Sequence, residues 1–183
     1  AEAALAAAHE ALGRELGPPF PRLTLAEAMN RFGTDRPDVR FGMELVDLTG
    51  IAATCGFKVF RDIADKGGTV RAINAKGCGE FSRKDLDVLT EYVAQFGAKG
   101  LAWVKIKEGG EWQSPIGKFF TDEERAAIAQ ATDAVQGDLL FFGADVKKVV
   151  FQVLSELRVE LARRLDLLKK DDFRFTWVTD FPL

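Results

Sequence analysis

The residues able to do chemistry in this chain are few. His9 is the single histidine among 183 residues, so no histidine triad, relay or multi-histidine metal site can be assembled. Its alanine-rich surroundings place it on the exposed face of a helix. Cys55 and Cys78 are the two cysteines; they lack CxxC spacing and are too few for a disulfide scaffold, which points to a reducing compartment. The glycine-rich NAKGCGEF run has neither Gly-Lys-Ser/Thr nor GxGxxG spacing, so it reads as a turn rather than a phosphate cradle. The densest charge cluster is RFGTDRPDVRFG at 31–42. There Asp35 and Asp38 can bond back to their own backbone, Pro37 fixes φ, Arg36 supplies a charge, and Gly33 and Gly42 bracket the segment. Arg and Asp so close in a loop make a salt-bridge knot in preference to a catalytic pair.

Bulk properties exclude several classes. The composition is 47% hydrophobic and 29% charged, as in a globular domain, and the formal charge of -3 gives no global field for nucleic acid. The apolar runs fall short of a membrane span, and AEAALAAAHE carries acid where a signal peptide carries base. These features imply a cytoplasmic chain without a membrane partner.

Pattern reading supplies the elements that must position these residues. A helix is expected over 1–16, on the spacing of Leu5, Ala8, Leu12 and Leu16, ended by Gly17 and Pro18. Three capping boxes, Thr24–Glu27, Ser82–Asp85 and Thr121–Glu124, each open a further helix, and Gly33 and Gly97 end the first two. MELVDL, FKVF, TVRAIN, GLAWVKIK, DLLFFG and FRFTWV read as strands, with a helical turn at 51–55 and an edge strand in WQSPIGKFF, where Pro115 cannot donate. In GLAWVKIK, Leu101, Trp103 and Lys105 face one way and Ala102, Val104 and Ile106 the other. The longest helix is expected from a cap at Asp145 to about 168, with Val146, Val149, Val150, Val153, Leu154, Leu157, Leu161 and Leu165 inward and Arg163, Arg164, Lys169 and Lys170 at its C-terminal end. In FRFTWV, Phe173, Phe175 and Trp177 share a face. From Val70 the order β-α-β-β-α-β predicts an α+β fold of split βαβ type, a mostly antiparallel sheet with helices on one face.

Several long motifs stand out together: FPRLTLAEAMNRFGTDRPDVRFGMELVD, EFSRKDLDVLTEYVAQFGAKGLAWVKIKEGG, SPIGKFF, GDLLFFGAD and LRVELARRLDLLKKDDFRFTWVTDFPL. Over nearly the whole chain, and in the same order, they resemble bacterial aspartyl-tRNA synthetases between class II motifs 2 and 3, where that family carries the inserted GAD domain. Phe32, Thr34 and Arg36 are mild departures from the family's Tyr, Ser and Lys. The resemblance implies a segment of a longer, homodimeric ligase that activates aspartate with ATP and Mg²⁺ and transfers it to tRNA. The groups that do so lie in motifs outside this chain, so the resemblance carries no catalytic, ATP, aspartate or metal residue onto it.

The implied division is a catalytic-domain segment and connector at 1–42, the GAD insertion at 43–170, and a return strand into short class II catalytic pieces at 171–183. On this reading the 31–42 stretch is a joint, with motion pivoting near Gly42 and near 170–172. The insertion shapes access of the tRNA acceptor end, and Arg71, Lys76, Arg83 and Lys84 are its RNA-facing candidates, solvated surface charge being the simpler alternative. Other readings are a structural spacer packed against the rest of the synthetase, and the GAD module of a tRNA-dependent amidotransferase subunit.

Overall fold

A computed structural model describes residues 2–10 and 19–182. Leu12, Leu16 and Gly17 of the expected first helix lie outside the described residues. Its described part, α1 (Glu2–Glu10), buries none of its residues, and Leu5 is exposed.

The chain then forms β1 (Arg22–Thr24), α2 (Leu25–Phe32), β2 (Val46–Asp47), α3 (Thr49–Ala52), α4 (Lys58–Asp65), β3 (Thr69–Ala75), α5 (Arg83–Ala94), β4 (Ala102–Ile106), β5 (Trp112–Gln113), α6 (Asp122–Ala131), β6 (Leu139–Asp145), α7 (Lys147–Arg164) and β7 (Trp177–Thr179). Strands β2, β3, β6, β4 and β5, in that order, make a five-stranded sheet whose pairings are all antiparallel. The β-α-β-β-α-β order expected from Val70 is present in β3 to β6.

All three capping boxes form. Thr24, Ser82 and Thr121 each accept from the backbone N–H three residues on, and Glu27, Asp85 and Glu124 reach back to the cap N–H. Each satisfies orphan amide donors at a helix start, and each needs only four consecutive residues to do so.

The sheet is covered on both faces, which corrects the expectation of helices on one. On one side α5 and α7 set Leu86, Leu89, Val93, Leu154, Leu157 and Leu161 against Ile73, Leu139 and Phe141. On the other, α3, α4 and α6 contribute Ala52, Phe60 and Ile128, with Ile116 and Phe120, against Val70, Ala72, Val104, Leu140 and Phe142. Two apolar layers leave no polar face on the central strands, and every residue of β3 is buried. The alternation in β4 holds: Leu101 and Trp103 join the first layer, Val104 and Ile106 the second.

The extra layer comes from FKVF, which is helical rather than a strand. A strand would put Phe57 and Val59 on one face. Instead Phe57, Phe60 and Ile63 recur at helical spacing toward the core, Phe60 is 3% exposed, and Val59 is 53% exposed. Two other elements also depart from expectation. MELVDL contributes only the two-residue β2. FRFTWV contributes only β7, which pairs in parallel with β1, Arg22 opposite Trp177 and Thr24 opposite Thr179.

Phe173 and Phe175 leave the strand and meet His9 edge-on, with ring centroids 5.3 and 5.4 Å away. His9 is therefore half-buried rather than solvated, and its Nδ1 is buried without a hydrogen-bond partner.

Nor does Asp145 cap α7. That helix begins after Val146 with no side-chain cap and ends at Arg164. The Asp145 carboxylate accepts instead from Lys99 Nζ at 2.7 Å and from the Val146 N–H at 2.8 Å. These contacts, the lysine first, hold its carboxyl below the usual range.

Candidate functional site

The charged loop is built around a residue that sequence reading missed. Arg158, on α7, is 1% exposed. Its Nη2 donates to the carbonyls of Asp38 at 2.7 Å, Phe41 at 3.0 Å and Gly42 at 3.1 Å, and its Nε donates to Gly42 O at 3.2 Å. The guanidinium lies 4.8 Å from the Phe32 ring centroid and 4.2 Å from that of Phe41. A weakly hydrated, planar cation suits such a site, held by carbonyl dipoles in the plane and ring quadrupoles nearby. Burial pushes its pKa down to about 10, so it stays charged at neutral pH.

Around this centre the loop is tied down by its own charges. Asp38 Oδ1 accepts from the Arg40 N–H, and Arg40 Nη2 donates to Asp38 Oδ2 at 2.7 Å. Arg40 also reaches Lys169 O, joining the loop to the segment after α7. Arg31 grips Glu44 through two bonds of 2.7 Å. The Asp35–Arg36 pair is looser, at 3.7 Å, and the nearby turn bond runs from the Arg36 N–H to Thr34 Oγ1. The loop is thus a salt-bridge knot, as its composition suggests. A pivot at Gly42 would first have to break the bonds from Arg158.

Acid should loosen this knot. Asp38, held chiefly by Arg40, and Glu44, held chiefly by Arg31, both sit below their ordinary carboxyl values. A carboxyl depressed in the folded state stabilises the fold above its unfolded value, and that contribution is lost as pH falls through the folded value. Thermal melts should therefore hold steady down to about pH 5 and drop below about pH 4. The double variant Asp38→Asn, Glu44→Gln should show a shallower acid limb; an unchanged limb would remove these two groups as its cause.

The four RNA-facing candidates do not share a surface. Arg71 is 6% exposed, and its guanidinium donates to Asn30 O at 2.8 Å and to Asp47 Oδ2 at 2.8 Å, over the Phe151 ring. It fastens α2 to β3 and faces no solvent, which corrects its place among them. A strand-period argument can mark such a residue as inward or outward, but only the docking of α2 buries it. Lys76, after β3, pairs with Asp133. Arg83 pairs with Asp87 one turn along α5, and Lys84 beside it is exposed. Lys76, Arg83 and Lys84 remain available to a ligand. The NAKGCGEF turn is held from below, where Asp138 accepts from the Gly77 N–H and from Asn74 Nδ2.

Among the described residues, no group of three or more His, Cys, Asp or Glu is placed to hold a metal ion. Cys55 and Cys78 are both buried, and burial raises both thiol pKa values. No described helix is long and apolar enough to cross a membrane.

Residues 60–154, more than half the chain, match the model of the GAD domain; they run from within α4 to within α7 and hold four of the five strands of the sheet. The chain belongs to the GAD domain family. It is 72% identical over 174 residues to the aspartate–tRNA(Asp/Asn) ligase of Desulfotalea psychrophila, covering 95% of this chain and 29% of that protein. It is 57% identical over 172 residues to the corresponding ligase of Syntrophotalea carbinolica, covering 94% and 29%. The aspartate–tRNA ligase of Ruminiclostridium cellulolyticum is 52% identical over 174 residues, covering 95% and 29%. The chain is a GAD-containing segment similar to those of aspartate–tRNA ligases, and it spans under a third of their length.

Proposed function

We infer that this chain is the non-catalytic insertion of an aspartate–tRNA ligase, and that its exposed cations guide the acceptor end of tRNA toward the catalytic body. The parent activates aspartate with ATP and Mg²⁺ and works as a homodimer in the cytoplasm; residues 1–42, with their connector, and 171–183 belong to its class II catalytic domain. The observation that carries this reading is the match of 95% of the chain to ligases named for tRNA. Lys76, Arg83 and Lys84 support the guiding role because they stand on one turn and the helix start that follows it, at a solvent-facing edge. Contacts of this kind position a phosphate backbone without reading sequence.

The test is kinetic, in the full-length ligase. Arg83→Glu with Lys84→Glu should raise the KM for tRNA about tenfold at low salt, with the effect shrinking as salt rises. Aspartate-dependent exchange between ATP and pyrophosphate should stay at the wild-type level. A tRNA KM that does not move assigns the insertion to the spacer role.

A further inference from the structure

A cleft of about 400 Å³ opens where the sheet loses a strand. Strand β4 pairs with β6 only as far as Ala102 opposite Phe142, so Gly143, Ala144 and Asp145 have no strand partner on that side. Val70, opposite Ala144 on the other side, donates its N–H to Thr49 Oγ1, and its carbonyl accepts from the Leu48 N–H. The alternation of an antiparallel ladder then turns the N–H and C=O of Ala144 into the cleft. One wall is Phe57, Phe60 and Ile63, with exposed Val59; the other is Val149 and Val153 of α7.

Beside Phe57, just outside the lining of the cleft, the surface is aromatic and cationic. Phe119, 38% exposed, stacks on Phe57 with centroids 5.3 Å apart, and Lys118 Nζ lies 5.1 Å above the Phe119 ring. Lys58 stands in sequence between Phe57 and Val59 of the lining, and Lys148 next before Val149. Lys58, Lys118 and Lys148 are exposed, and none is in an ion pair among the described residues. Lys99, also at the cleft, is taken by Asp145.

We propose that this cleft binds an unpaired nucleotide at the end of an RNA strand. The base stacks against the apolar walls and the Phe57–Phe119 platform, with its donor–acceptor edge on the peptide groups of Ala144, while the adjoining phosphates meet Lys58, Lys118 and Lys148. Apolar slots with aromatic platforms and a basic rim are what single-stranded nucleic acid requires. An extended peptide fits less well, because one residue of free strand edge gives it a single pair of backbone bonds and leaves the lysines unanswered. The inference rests on the tRNA reading above and adds a second, separate surface to it.

The experiment uses the full-length ligase and a fluorescent single-stranded RNA tetranucleotide. Lys118→Glu with Lys148→Glu should weaken binding about tenfold, and Phe119→Ser about fivefold or more. A tetranucleotide with abasic sugars should bind as weakly to the wild type as the intact one does to Phe119→Ser. Equal affinity for intact and abasic RNA, or capture of an acidic apolar peptide in place of the RNA, overturns the proposal. If the tRNA KM responds to Arg83→Glu with Lys84→Glu while the cleft variants bind the tetranucleotide normally, the cleft inference falls and the guiding role stands. If none of these variants changes either readout, both fall.

Discussion

Replacing Arg158 with alanine is expected to cost the fold roughly 3–5 kcal/mol, which is the range seen when a buried charge network loses one partner. The loss has two parts. Three backbone carbonyls, of Asp38, Phe41 and Gly42, would lose their donor, the buried Phe41 carbonyl at most cost, and a space would open between Phe32 and Phe41. For a chain of this size that corresponds to a fall in Tm of about 6–20 °C. Arg158→Lys separates charge from shape. An ammonium keeps the charge but cannot serve several carbonyls from a planar fork, so it should recover less than half of the loss. Hydrogen exchange would show where the damage lies, with the 31–45 backbone opening faster while the β3–β6 pairing keeps its protection. A lysine variant as stable as wild type would mean that charge alone is sufficient.

The second large effect is expected at Gly33, where two independent constraints meet. It ends α2 in the left-handed region, at φ +74°, and a Cβ there would lie 2.4 Å from the Phe151 carbonyl oxygen. The backbone strain alone costs about 1 kcal/mol for alanine. The clash is with main chain of α7, which cannot swing aside as a flexible side chain would, so α2 must lift from α7 or the helix must deform. Gly33→Ala should therefore cost at least about 3 kcal/mol, against about 1 kcal/mol for a left-handed position in open space. Gly67→Ala supplies that comparison, because φ is +75° there and nothing approaches the missing Cβ. Equal losses in denaturant melts of the two variants would show that the close approach of α2 to α7 carries no weight.

What could be read from the sequence, and what could not, divides by range. The capping boxes are chemistry of four residues, so Thr24, Ser82 and Thr121 were legible, as was the left-handed end at Gly33. The alternation in β4 was legible because each face of that strand meets its own apolar layer. The misreadings depend on partners far along the chain. FKVF looks like a strand in a four-residue window, and only Ile63 extends its spacing into that of a helix. Asp145 looks like a cap until Lys99, forty-six positions away, takes its carboxylate. Arg71 and Arg158 look like ordinary surface cations. What buries them is the packing of α2 and the loop after it against β3 and α7, and local pattern carries no trace of that. A hint for Arg158 exists in its position one helical repeat of seven after Phe151, on the flank of the apolar stripe of α7.

The pairing of β1 with β7 has a consequence for how this architecture can be cut and rejoined. Two parallel strands side by side need a crossover between them, and ordinarily a dozen or so residues are enough. Here the crossover is the whole sheet with both its helical layers, leaving β1 at Thr24 and coming back at Trp177. The ends of that excursion are neighbours in space, and α2, which opens it, sets Ala28 and Phe32 against Leu23 and Val178 of the two strands. With α2 retained, a modest linker could stand in for the rest of the excursion, or a foreign domain could be spliced at the same doorway, with β1 and β7 keeping their alignment.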